Sequence, residues 1–289
     1  MRRACIDIGS NTTRLLVADC AEGGLVECRQ ERAFTQIGRS LDAQDAIPAV
    51  KLSEVVAAVA EQFVIARELG AEHISCVATA GVRRASNGRA LVELIRDSCD
   101  GLEVEILSGA EEARLAFIGA AWGAGAGRES GVGVVDAGGG SSEIVVGDGP
   151  DRVRWWVSLP VGSADVSGRW LAEDPPAAGE LDQARAQLRA TFEGLAPPEV
   201  QRLVAVGGSA TSLRMLAGPL VDEHGFEYLF GIVQRFGAVD LARRFGVDVR
   251  RARLLAGGLL ILESVSALFG APLEIGRGGL REGLLLEAP

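Results

Sequence analysis

Short apolar runs alternate with stretches of helical period along this chain, and two of the apolar runs are near copies. Residues 6–19 read IDIGSNTTRLLVAD and residues 135–148 read VDAGGGSSEIVVGD. Aligned on Asp7 and Asp136, each gives an apolar residue, Asp, one spacer, Gly, small residues ending in two hydroxyls, then an apolar strand closing on Asp. Each copy predicts a β-hairpin whose turn carries glycine and hydroxyls. Residues 25–37 read as further strand, whereas Leu52, Val55, Val56, Val59 and Phe63 recur at helical spacing up to Gly70. His73–Ala78 reads as a buried strand, TAGVRRASNG as a loop, about 89–99 as a helix, Val104–Leu107 as a short strand, and Ser108 to about Trp122 as another helix.

The second half repeats the style. Gly123–Gly131, rich in Gly and Ala, reads as a hinge. Arg152–Leu159 is strand-like with Trp155 and Trp156 on opposite sides, LPVGSADV turns into a helix, and a helix covers about 180–194. Leu203–Val206 leads into GGSATSLRML at a helix start, Arg253–Phe269 is a long apolar helix, Leu273–Ile275 a strand, and GLREGLLLE a terminal helix. Alternating strands and helices predict an α/β architecture with a mixed sheet in each of two lobes, and 289 residues suffice for two domains of ordinary size.

Composition narrows the chemistry. Lys51 is the only lysine and follows Val50, not glycine, which excludes a P-loop. A net charge of −10 argues against a broad basic surface for nucleic acid polymers or membranes, so a polyanionic substrate must meet local arginines, loop amides and metal ions. The two histidines, His73 and His224, lie far apart and remove most His-based metal sites. Cys5, Cys20, Cys28, Cys76 and Cys99 lack metal-type spacing and read as buried small hydrophobes. The Met-Arg-Arg start runs directly into a strand with no secretory apolar segment, which makes the cytoplasm the default expectation.

Glycine lets a backbone approach a ligand closely, and successive turn amides make a concavity suited to a phosphate oxygen. Two such loops, Gly9 to Thr12 and Gly138 to Ser142, predict two lobes gripping one polyphosphate. Asp7 and Asp136 end apolar strands, where a buried carboxylate is costly unless paired or bound to metal; Mg²⁺ takes one or two carboxylates plus water and phosphate oxygens. Ser108-x-x-Glu111 fits a capping box, which occupies Glu111 and leaves Glu112 free.

The chain resembles the exopolyphosphatase/guanosine pentaphosphate phosphohydrolase family within the actin-like ATPase, Hsp70 and sugar kinase superfamily. The resemblance rests on DIGSNTTRLLV (Asp7–Val17), the T-x-x-x-R-x-A-x-N run from Thr79 to Asn87, SGAEEARLAF (Ser108–Phe117) and VVDAGGGSSEIVVG (Val134–Gly147). It continues through SLPVGSADV (Ser158–Val166), AVGGSATSL (Ala205–Leu213) and GLREGLLLE (Gly279–Glu287), seven motifs in the family's order. Two departures, Arg253 and Gly276-Arg277, add positive charge where the family often has acids.

The resemblance implies an α/β fold of two actin-like (ribonuclease H-like) domains with an interdomain cleft: residues 1–123 plus about 277–289, and residues 124–276. It implies a minimal core without the C-terminal helical domains of longer members, and it admits a homodimer. The activity implied is Mg²⁺-dependent release of terminal phosphate from inorganic polyphosphate of short chain, with guanosine pentaphosphate as the same-site alternative. An ATP-dependent small-molecule kinase or a non-catalytic nucleotide-binding protein are the readings from other classes. The implied site has Glu112 as general base, Asp136 and Glu143 supporting catalysis, and Asp7, Asp136 and Glu143 positioning metal. Phosphate falls to Ser10, Asn11, Thr12, Arg83, Gly138, Gly139, Gly140, Ser141, Ser142, Gly208 and Ser209, with Arg281 a further candidate. Arg84 is expected to face solvent.

Overall fold

The computed structural model describes residues 1–21, 24–126, 129–149 and 152–287. The chain divides into two compact units, Met1–Leu115 with Leu280–Pro289, and Ala116–Gly279.

The first unit is laid down as β1 (Arg2–Ile8), β2 (Thr13–Ala21), β3 (Gly24–Ala33), α1 (Ile37–Ser40), α2 (Ala49–Glu68), β4 (His73–Ala78), α3 (Ala80–Arg84), α4 (Gly88–Ser98), β5 (Val104–Ile106) and the start of α5 (Gly109–Gly123). Its sheet runs β3-β2-β1-β4-β5, with β1–β2–β3 antiparallel and β4 and β5 parallel to β1. The central strand β1 is covered on both faces, which explains why its residues form a run and not an alternation. Ala4, Ile6 and Ile8 meet Val55 and Val59 of α2 and Leu91 and Ile95 of α4. Cys5 points the other way, toward Leu16, Val77 and Leu107. Asp7 shares that second face, because side chains alternate along a strand.

The second unit continues as β6 (Val132–Ala137), β7 (Ser142–Gly147), β8 (Val153–Leu159), α6 (Ser163–Trp170), α7 (Ala178–Phe192), β9 (Arg202–Val206), α8 (Gly207–Ala217), β10 (Leu220–Val221), α9 (Glu223–Arg235), α10 (Ala238–Phe245), α11 (Val249–Ala252), α12 (Leu255–Phe269) and β11 (Leu273–Ile275). The order is β10-β11-β9-β6-β7-β8, again antiparallel at the hairpin and parallel where β6 meets β9. Helix α12, LAGGLLILESVSALF, is apolar all round from Leu255 to Leu262, a stretch buried among the neighbouring helices α6, α7, α8 and α9. Last in the chain, α13 (Leu280–Glu287) returns to the first unit and seats Leu285 in the Cys5 face of its sheet.

Several elements differ from the sequence expectations. The third strand stops at Ala33, four residues early, and the expected loop at 79–88 contains α3. Residues 219–248, given no element from sequence, hold β10, α9 and α10. Helix α9 was legible: Phe226, Leu229, Phe230 and Val233 follow helical spacing after Asp222, whose carboxylate caps the helix by accepting from the Gly225 amide at 2.9 Å. Of the cysteines, Cys5, Cys76 and Cys99 are buried as expected, but Cys28 on edge strand β3 is exposed. In the expected hinge, α5 extends to Gly123, and residues 127 and 128 lie outside the described residues. No helix among the described residues is long and apolar enough to cross a membrane.

Candidate active site

The two sequence copies build the same turn. Strand β1 pairs with β2 through Asp7 opposite Arg14 and Ile8 opposite Thr13; β6 pairs with β7 through Asp136 opposite Glu143 and Ala137 opposite Ser142. The Gly9 amide donates to the Thr12 carbonyl at 2.9 Å, and the Gly138 amide to the Ser141 carbonyl at 3.0 Å. In the first loop the Ser10 and Asn11 carbonyls accept from the amides of Gly38 (2.9 Å) and Gln36 (3.0 Å). In the second, the Gly138 and Gly139 carbonyls accept from the amides of Ser163 and Ala164, both at 2.9 Å. With their carbonyls tied back, the loops leave the amides of Ser10, Asn11 and Thr12, and of Gly139, Gly140 and Ser141, with no acceptor among the described residues. Consecutive unpaired amides are the elementary anion nest.

Glycine is required where this scaffold is tightest. A Cβ on Gly162, at the start of α6, would collide with the Gly139–Gly140 peptide of the second loop. The hydroxyls divide by position. Ser10 packs beside Gly81 of α3 and is 9% exposed, whereas Asn11 and Thr12 are half-buried. Ser142 corrects the sequence reading: fully buried, it donates to the Val161 carbonyl at 2.8 Å and is a scaffold residue, not a phosphate ligand. Its counterpart Thr13 is equally buried, 3.1 Å from the Thr35 hydroxyl.

In the first unit the carboxyl ends of the parallel strands present the chemistry, the usual place for ligands in such sheets. Loop one follows β1, α3 follows β4, and α5 follows β5. The Leu107 amide donates to the Ala78 carbonyl at 2.9 Å, fixing the approach to α5. Glu111 receives the Ser108 hydroxyl cap on its amide at 3.2 Å, but its carboxylate accepts from Arg114 at 2.7 and 3.1 Å, so that arginine, and not a full capping box, holds it below the usual carboxylate range. Glu112 is only 5% exposed and forms an ion pair with Arg83. Arg84 does not face solvent: it is half-buried, with Nε sealed inside the unit.

Burial pushes the Asp7 carboxyl above its ordinary range, opposed by the charges of Arg281 and Arg14, and Asp7 Oδ1 is sealed without a hydrogen-bond donor. Arg281 is itself 5% exposed and donates to the Leu15 carbonyl at 3.1 Å, so it braces the sheet beneath Asp7.

In the second unit Glu143 is 4% exposed and accepts from the Ser158 hydroxyl at 2.8 Å. Asp136 lies against the first residue of α8: Gly207 has φ of 86°, and a Cβ there would collide with Asp136 Oδ1. Directly opposed residues of an antiparallel pair share a face, so Asp136 and Glu143 form a two-carboxylate set. Among the described residues no group of three or more His, Cys, Asp or Glu could hold a metal. Two carboxylates fit an ion that completes its shell with water and phosphate oxygens, as Mg²⁺ does, and the orphaned Asp7 oxygen fits a cation or its water. Gly208 is open at the start of α8, with the Arg251 guanidinium nearby, whereas Ser209 is 9% exposed and packs its hydroxyl onto Gly258 of α12.

The architecture has known counterparts. The chain is 32% identical over 310 residues to exopolyphosphatase 1 of Mycobacterium tuberculosis, covering 99% of this chain and 88% of that protein. It is 30% identical over 315 residues to exopolyphosphatase 1 of Mycobacterium leprae, covering 99% of this chain and 89% of the other. The crystal structure of the Aquifex aeolicus Ppx/GppA family member superposes with a TM-score of 0.84 at 28% identity, covering 99% of this chain and 96% of that one. A family model, the Ppx/GppA phosphatase family, matches residues 16–288, from within β2 through the second hairpin to α13. Repeated turn, two-unit α/β fold and sequence agree: the chain belongs to the Ppx/GppA phosphatase family.

Proposed function

We propose that this chain is a Mg²⁺-dependent phosphohydrolase that releases terminal phosphate from inorganic polyphosphate. The observation that carries the reading is the pair of amide nests whose carbonyls are tied back into the scaffold, each adjoining a strand-end aspartate. Phosphoanhydride hydrolysis needs little covalent chemistry from a protein; it needs charge stabilisation and an oriented water. The amides of Ser10, Asn11 and Thr12 and of Gly139, Gly140 and Ser141 supply the first by meeting phosphoryl oxygens. Asp136 and Glu143 in the second unit would hold Mg²⁺, which neutralises phosphate charge when bound, and Asp7 in the first unit is an acid able to position a cation or its water. Glu112 takes a proton from the attacking water as its oxygen bonds to phosphorus and the bond to the departing polyphosphate oxygen breaks. The Mycobacterium relatives, named exopolyphosphatases, support the substrate class. Five cysteines with no disulfide among them support a reducing, cytoplasmic setting.

The same chemistry at the 5′-phosphate of guanosine pentaphosphate is the second reading, favoured by the open Gly208 and neighbouring Arg251 at the start of α8. Phosphate release from polyphosphates of graded length, guanosine pentaphosphate and ATP, with and without Mg²⁺, tests both. Polyphosphate is expected to turn over only with metal, and Glu112→Gln to lose about 10²–10⁴ in kcat. Binding without turnover of any substrate would refute the enzyme, and undiminished Glu112→Gln would refute the general base.

A further inference from the structure

We propose that Arg83 is the positioning residue that aims the Glu112 carboxylate, a role carried by Nη1 of its guanidinium and separate from any contact with substrate. The inference rests on the phosphohydrolase reading and assigns a part within it.

Glu112 and Glu143 are the acids buried to 5% or less among the described residues, and a carboxylate so far from water needs a fixed partner. Arg83 Nη1 supplies it while donating to the Leu107 carbonyl at 2.6 Å. A guanidinium Nη carries two protons, so these two acceptors use all of Nη1. Both ends of the bridge are fixed by backbone. Arg83 lies in α3, where its amide donates to the Thr79 carbonyl at 2.9 Å, and Leu107 is tied to the end of β4 through Ala78. Glu112 stands in the first turn of α5, its amide bonded to the Ser108 carbonyl at 2.9 Å. The chain thereby clamps one carboxylate from β4, α3 and the β5–α5 junction at once. With Nη1 occupied, a phosphate contact would fall to Nε and Nη2. A lysine side chain is one bond shorter than the path to Nη1, so its ammonium falls short of this pair of acceptors.

The split between kcat and KM separates aiming from clamping. Arg83→Ala is expected to lose at least tenfold in kcat at saturating polyphosphate, and millimolar methylguanidinium to restore part of that loss. Arg83→Lys is expected to remain at least tenfold down in kcat, even where its charge keeps KM within threefold of wild type. A kcat within threefold of wild type in Arg83→Ala overturns the proposal, whatever happens to KM. Urea unfolding of Arg83→Ala, Glu112→Gln and the double variant supplies a measure independent of turnover. The double variant's midpoint shift is expected to be smaller than the sum of the single shifts, and additive shifts overturn the pairing. An inactive wild-type protein would refute the phosphohydrolase reading, and the unfolding cycle would then decide the pair by itself.

Discussion

Asp136 stands directly opposite Glu143 across the second hairpin, and at the matching positions of the first hairpin Asp7 stands opposite Arg14. The same backbone thus carries an opposite-charge pair in one unit and a like-charge pair in the other. Like charges directly opposed on a sheet face are destabilising unless a cation joins them. The first hairpin carries an arginine opposite its aspartate, and the second carries an acid at the matching position.

Removing one acid of that pair should therefore weaken metal use more than folding. Glu143→Gln is expected to raise the Mg²⁺ concentration for half-maximal activity tenfold or more, with the thermal midpoint in EDTA unchanged or higher. An unaltered Mg²⁺ response, measured by phosphate release across a metal titration, would remove Glu143 from the metal site.

Asp7 makes a prediction about pH. Burial raises its carboxyl in the folded state above the ordinary value near 4 of an unfolded chain. Between those two values folding takes up a proton, so the metal-free protein loses stability as pH rises through that window and stays less stable above it. Asp7→Asn lacks this cost. In EDTA at pH 7 it should melt above wild type, a difference read by calorimetry. At a pH below the unfolded value the difference should vanish, and it should reverse at neutral pH with Mg²⁺ and phosphate.

Gly162 tests the second nest. Its hydrogen meets the Gly139–Gly140 peptide where a methyl group would collide, so Gly162→Ala must displace the loop. Overpacking of this kind costs about 1–3 kcal/mol. Calorimetry should show a lowered midpoint, and turnover at saturating substrate should fall by at least tenfold; a variant with wild-type values of both would place the nest elsewhere.

The thiols report on packing. Burial pushes Cys5, Cys76 and Cys99 up, away from the reactive thiolate, whereas Cys28 is exposed. Native alkylation at pH 8, followed by peptide mass spectrometry, should label Cys28 first and those three only after denaturation. Labelling of Cys5 at the rate of Cys28 would contradict the covered face of β1.

The hairpins were legible because the chain states them twice, and polar positions in step carry more information than hydrophobic period alone. Ser142 shows where that reading outran its own logic. Ser142 begins β7 and turns its hydroxyl inward to the Val161 carbonyl, a partner 19 positions away that nothing in the loop's own sequence announces. Helix α3 was missed for a different reason: the five residues Ala80–Arg84 are too few to display a 3.6 period. The Arg83–Glu112 bridge spans 29 positions, and nothing local announces it. Spacing separated Glu112 from Glu111, yet that Glu111 would turn to Arg114 depended on competition between a backbone amide and a guanidinium.

Because the nests are made of main chain held from behind by the amides of Gln36, Gly38, Ser163 and Ala164, an anion bound there would be held by backbone and not by side chains. Alanine scanning at Asn11 or Thr12 would leave the amides in place and return a near-silent result. The sensitive positions would instead be those that set the curvature of the strap: Gly38 and Gly162, neither of which needs to touch a ligand. A survey of natural or engineered variation in this protein would then find tolerance at the contact point and intolerance one layer behind it.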